Sequence, residues 1–111
     1  MSLEQYADDL MRAAEQVKRR AAEETRESAQ AIGDQYKRTA RKDTGAMAAS
    51  VVVEASNGGL VQAVGPTSHY AYFNEIGTSS IKGDNALQKA TDREVVHGWR
   101  PDLDRMLEEL L

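Results

Sequence analysis

The sequence predicts an α+β fold: one long N-terminal helix, a small antiparallel β-sheet built on a hairpin, and helices again towards the C-terminal end. Three observations carry this. Apolar residues recur with a 3.6-residue period through the first forty positions. A β-branched, alternating stretch follows, broken by Ser56-Asn57-Gly58-Gly59. Charge falls into three blocks. Residues 1–42 carry nine Lys/Arg against eight Asp/Glu, residues 43–81 none against three, and residues 82–111 five against seven, which together give the net charge of −4. An almost uncharged centre between charge-laced flanks is the pattern of a sheet between solvated helices. At 111 residues the chain reads as a single domain, 1–111, divided into a long helix (1–40), a hairpin segment (43–78) and a C-terminal helical segment (84–111).

The long helix rests on Leu3, Tyr6, Leu10, Ala14, Val17, Ala21, Thr25, Ala29, Ile32 and Tyr36, which share one face. The stripe begins with large residues and turns small in its middle. A helix of this length spans about 55 Å at 1.5 Å per residue. A compact domain of this size has a radius of gyration of only about 13 Å. The helix therefore either breaks, with Gly33 as the place to bend or end it, or carries part of its length outside its own domain to pack on a neighbour. Lys37, Arg38, Arg41 and Lys42 gather at its end. Cations there complement the negative C-terminal end of a helix dipole, and the alternative is a nucleic-acid contact.

Ser50 to Ala55 alternates with Val51, Val53 and Ala55 on one face, and Leu60 to Val64 is the return strand, giving strands at about 50–56 and 60–65. Asn57, Gly58 and Gly59 suit the positive φ of a hairpin turn. Two strands are marginal alone, so a helix or another subunit must cover them. Gly65-Pro66 ends the sheet. The stretch 64–78 then holds the only Phe and two of the four Tyr, and reads as a short helix over about 68–76, capped by Thr67 or Ser68 and stopped by Gly77. A polar loop follows. Asp84 or Asn85 can cap a helix over about 86–97, closed by Gly98, and Pro101 fits the first turn of a last helix over about 101–110. Leu103, Met106, Leu107, Leu110 and Leu111 give that helix an apolar stripe in search of a partner.

Several function classes drop out. With no Cys there is neither a disulfide framework nor thiolate chemistry. No run approaches the roughly 18 apolar residues of a membrane span, and no basic region followed by an apolar run marks a signal peptide, so a soluble protein made in the cytoplasm is expected. The mildly acidic balance argues against general nucleic-acid binding. There is no phosphate-binding glycine loop, no dinucleotide fingerprint and no metal-ligand spacing, so no catalytic, metal or cofactor residue is assigned. His69 and Glu75 stand six apart and would not share a helical face. Glu75 reads instead as a structural carboxylate bonded to nearby backbone or hydroxyl groups. Tyr70, Tyr72 and Phe73 read as core or interface anchors.

Two stretches also carry a resemblance: Asp43-Thr44-Gly45-Ala46-Met47-Ala48-Ala49-Ser50-Val51, and, after the hairpin, Val64-Gly65 with Tyr70-Ala71 and Glu75-Ile76-Gly77-Thr78. In this order around a hairpin they resemble the small neck and tail-component proteins of long-tailed, lambda-like phages. Ala48 stands where many members have Arg, and Ser79 to Leu87 lacks the usual Pro and Phe. The resemblance implies a non-enzymatic virion protein at the head–tail junction, made in the host bacterial cytoplasm. It would be a tail-completion or tail-terminator subunit that forms a ring with itself, commonly six-fold. It would meet other neck, connector and tail-tube proteins while DNA passes through without sequence-specific binding; no membrane, cofactor or small-molecule substrate is implied. Asp43, Thr44, Gly45, Ser50, Gly65, Tyr70, Ala71, Phe73, Glu75, Gly77 and Thr78 would then serve the fold or the ring contact. The alternative from the residues alone is a cytosolic adaptor whose helices bind a partner protein.

Overall fold

A computed structural model describes residues 2–39, 49–67, 75, 83 and 85–110. Helix α1 (Leu3–Thr39) runs without a break. Its start is a reciprocal capping box. The Ser2 hydroxyl accepts from the Gln5 N–H at 3.1 Å, and the Gln5 side chain accepts from the Ser2 N–H at 3.2 Å. Glu4 in the first turn and Lys37 and Arg38 in the last complement the helix dipole. Gly33 neither bends nor ends the helix. It lies buried against the sheet: a Cβ built there would stand 3.4 Å from both Val51 Cγ1 and Val64 Cγ2.

Strands β1 (Val51–Ser56) and β2 (Val61–Pro66) pair antiparallel from Val51 opposite Pro66 to Ser56 opposite Val61. The turn takes positive φ at Asn57, Gly58 and Gly59 (51°, 65° and 89°), as the Asn-Gly-Gly sequence requires. At the open end Thr67 ties back to Ser50: its N–H reaches the Ser50 carbonyl at 3.0 Å, and its hydroxyl donates to the same oxygen at 2.8 Å. The hairpin lies along the second half of α1, with Gly59 near Ala22 and Val51 near Gly33.

The C-terminal segment comprises α2 (Ala86–Glu94), a π turn (Val95–Trp99) and α3 (Arg100–Leu110). The helix does not close at Gly98. Pro101 has no N–H to donate and its ring crowds the carbonyl four residues back. The chain meets this with one widened turn, in which the Arg100 N–H reaches the Val95 carbonyl, and continues. The segment runs antiparallel to α1: Tyr36 packs with Ala86, Ser28 meets Glu94, Thr25 meets Trp99, and Arg20 pairs with Glu109 at 3.6 Å. Met106 from the last apolar stripe is buried, Leu103 and Leu110 are half-buried, and Leu107 stays exposed. Among the described residues the core comprises Ala29, Ile32, Tyr36, Ala86, Ala90 and Met106, with Val51 and Leu87 packed against Tyr36 and Ala86.

The whole measures 69 × 22 × 21 Å. That length comes from α1. Residues 3–16 are exposed throughout, burial begins at Val17, and it is complete only from Ser28. The helix extends as an arm beyond the body formed by its own second half, the hairpin and α2–α3.

Candidate assembly surface and the motif carboxylate

Of the eleven residues singled out from the sequence, Ser50, Gly65 and Glu75 are described. Asp43, Thr44, Gly45, Tyr70, Ala71, Phe73, Gly77 and Thr78 lie outside the described residues, as does the short helix over 68–76 apart from Glu75. The three that are described gather at the open end of the hairpin, beside the start of α2. Gly65 lies opposite Val52 in the sheet, and a Cβ there would touch Leu87 Cδ2 at 3.6 Å. Ser50 is tied to Thr67 across the strand ends.

Glu75 holds the first turn of α2. Its Oε1 accepts from the Leu87 N–H at 2.9 Å, its Oε2 from the Gln88 N–H at 3.0 Å, and its carbonyl from the Asn85 N–H at 3.0 Å. These are amide donors that a helix start leaves without intrahelical partners, at the positive end of the helix dipole. Residue Asn85, expected from the sequence to cap this helix, sits at the capping position with φ 51° and makes no side-chain capping bond. In that left-handed conformation its side chain does not serve the turn. A carboxylate from ten residues upstream does so, and it satisfies two donors where one Asn oxygen normally satisfies one.

A second polar seam joins the C-terminal helices to α1. The buried Ser28 hydroxyl donates to Glu94 Oε1 at 3.0 Å, and the Trp99 indole N–H donates to Thr25 Oγ1 at 3.1 Å, while the Thr25 hydroxyl donates back to the Ala21 carbonyl at 2.8 Å. The widened turn carries Trp99 to this position. The sequence reading placed Thr25 in the apolar stripe and singled out neither Ser28, Glu94 nor Trp99. The available signal was two hydroxyl residues, at 25 and 28, on the face of α1 that becomes buried. One turn further down the helix, burial together with the charges of Asp102 and Glu27 raises the Glu24 carboxyl above its ordinary value, against the opposing pull of Arg20 and Arg105.

Among the described residues, two apolar surfaces stand open. On the arm, Leu3 is 87% exposed, Met11 68%, and Tyr6 and Leu10 54% each. On the body, a cavity of about 320 Å³ opens between Ala29 and Ile32 of α1, Val61 and Val64 of β2, and Val95 and Trp99 of the π turn. Among the described residues no group of three or more His, Cys, Asp or Glu is placed to hold a metal ion, and no helix is long and apolar enough to cross a membrane.

Neither curated proteins nor solved structures yield a match to the chain. The phage family described as "Bacteriophage HK97-gp10, putative tail-component" matches over residues 4–77, from the first turn of α1 through the hairpin to just past Glu75. That stretch is two-thirds of the sequence, and the chain belongs to this HK97-gp10-like family.

Proposed function

We propose that the chain is a structural, non-catalytic subunit of the phage head–tail junction, a tail-completion or tail-terminator protein that closes into a ring, six-fold as is common for such parts. It would sit in the neck of the virion between connector and tail tube, with DNA passing through the ring. One observation carries the ring reading: a subunit of this size extends over 69 Å because the first part of a 37-residue helix, residues 3–16, stands outside the body with its large apolar residues uncovered. An isolated monomer gains nothing from exposing Leu3, Tyr6 and Leu10 on one face. A subunit that meets its neighbours through unlike patches does, and such heterologous contacts close into rings by rotation. Membership of a tail-component family supplies the setting. The net charge of −4 suits a channel that lets DNA slide, since a ring without a strong excess of cations does not hold phosphates.

Native mass spectrometry and sedimentation velocity test this. A closed oligomer of ring size, or assembly of the purified chain onto tail tubes or connectors visible by electron microscopy, is the expected result. A chain that stays monomeric at high concentration and binds no tail or connector protein refutes the proposal.

A further inference from the structure

We propose that the arm of one copy lies in the body groove of the next: residues 3–17 pack their apolar arc into the cavity between α1, β2 and the π turn of a neighbouring chain. This names the two faces of the ring contact and rests on the ring reading above.

Three observations select this pairing. The first is the width of the apolar surface. At about 100° per residue, the arm's uncharged apolar arc runs from Ala13 through Tyr6, Leu10, Leu3 and Ala7 to Met11, about 160° in all. A two-helix seam uses only a narrow stripe, whereas an arc this wide suits a groove with walls on two sides. The body groove has such walls, with Val61 and Val64 of the hairpin on one side and Val95 and Trp99 on the other. The second is charge. Residues 2–16 hold Glu4, Asp8, Asp9 and Glu15 against Arg12, a net −3, while the rest of the chain accounts for the remaining −1 of the total −4. Pairing arm with arm would set −3 against −3; laying an arm on a nearly neutral body does not. Lys18 and Arg19, with Glu15, line a recess that shares Leu60 with the groove, so cations stand at one rim of the acceptor. The third is reach. The groove floor is residues 25–32 of the same unbroken helix that carries the arm, so an arm cannot fold back into its own groove. Only another copy can deliver it, and the contact is then necessarily between unlike patches.

The chain has no Cys, so single cysteines report on proximity without background. Leu10→Cys marks the arm and Val61→Cys marks the groove; both sites are about half exposed, at 54% and 51%, so both variants should fold with unchanged far-UV circular dichroism and melting temperature. Each is treated with a short bismaleimide alone and mixed with the other. Cross-linked dimer from the mixture, with little from either variant alone, is the expected result. Efficient cross-linking of Leu10→Cys alone would show arm-to-arm pairing and overturn the proposal. No cross-link in a mixture that native mass spectrometry shows to be oligomeric would also overturn it while leaving the ring standing. Monomers throughout would remove both.

Discussion

Glu75 is the sharpest place to perturb this molecule, because one side chain supports the start of α2 through two bonds. Glu75→Gln keeps the shape but turns one of the two acceptor oxygens into a donor facing an amide N–H. One charge-assisted bond is lost, about 1.5–3 kcal/mol. The favourable meeting of a carboxylate with a helix N-terminus goes too, about 0.3–1 kcal/mol. A loss of roughly 2–4 kcal/mol is therefore expected. Against the 5–15 kcal/mol typical of a folded domain this is large but survivable, so the variant should fold. Urea unfolding should show a lower midpoint at unchanged slope, the sign of altered stability with the same surface exposed. Hydrogen exchange gives the local readout: the amides of Leu87 and Gln88, which donate to the two oxygens, should lose protection before those of α3. Glu75→Asp, one methylene shorter, should not restore the double contact. A midpoint shift below about 0.5 kcal/mol with both amides still protected would refute the assignment. If the fold persists and assembly is lost, Glu75 serves the contact between subunits as well.

Three further outcomes follow from the same contacts. Tyr36 is 2% exposed between Val51, Ala86 and Leu87, so Tyr36→Ala should cost roughly 3–5 kcal/mol in chemical denaturation, as for other large aromatic truncations. Thr25→Val keeps the shape but leaves the Trp99 indole N–H without its acceptor; a loss of about 1–3 kcal/mol is expected, and Trp99, the chain's only tryptophan, reports it as a shifted fluorescence melting curve. Glu24 has a folded-state pKa raised above its ordinary 4.5, chiefly by burial, so the folded state binds its proton more tightly and stability falls as pH rises through that range. Glu24→Gln should therefore be more stable than the parent at pH 7, with the gap closing below about pH 4.5, as read from melting temperature against pH.

How much of this was legible in the sequence depends on whether the cause is local. The hairpin and its turn read directly, because alternation and Asn-Gly-Gly are effects of neighbouring residues. The helix period of α1 read equally well. The cap of α2 did not: the sequence offers Asp84 and Asn85 next to the helix, and nothing local says that Asn85 takes a left-handed turn while a carboxylate ten residues away does the capping. The partners of Glu75 had no local signature either: they are the amides of Leu87 and Gln88, twelve and thirteen residues further on. The passage through Gly98 was hidden for a similar reason. Glycine marks a stop only when nothing beyond it holds the helix in place, and here Trp99 and Met106 anchor the following turns on α1. The seam of Ser28 with Glu94 spans 66 residues and has no signature at any fixed spacing.

The two halves of α1 share one period, and periodicity alone cannot say which half packs at home. Burial can. Where α1 meets its own hairpin and α2, the buried face combines small residues, Ser28, Ala29 and Gly33, which let the elements approach closely, with the larger Ile32 and Tyr36. A Cβ at Gly33 would already be at 3.4 Å from two valines, so a large residue there would push the sheet away. On the arm the same face carries Leu3, Tyr6 and Leu10, residues whose burial is worth about 1.5–3 kcal/mol each for an aliphatic chain and which find no cover among the described residues. Ile32 and Tyr36 are covered by elements of their own chain, whereas the equally large Leu3, Tyr6 and Leu10 stay exposed. Because the helix is continuous, whatever covers the arm also fixes the direction of the body behind it. In the proposed ring, a continuous 37-residue helix would convert a local apolar contact into a defined angle between subunits, which is the property a ring needs if it is to close.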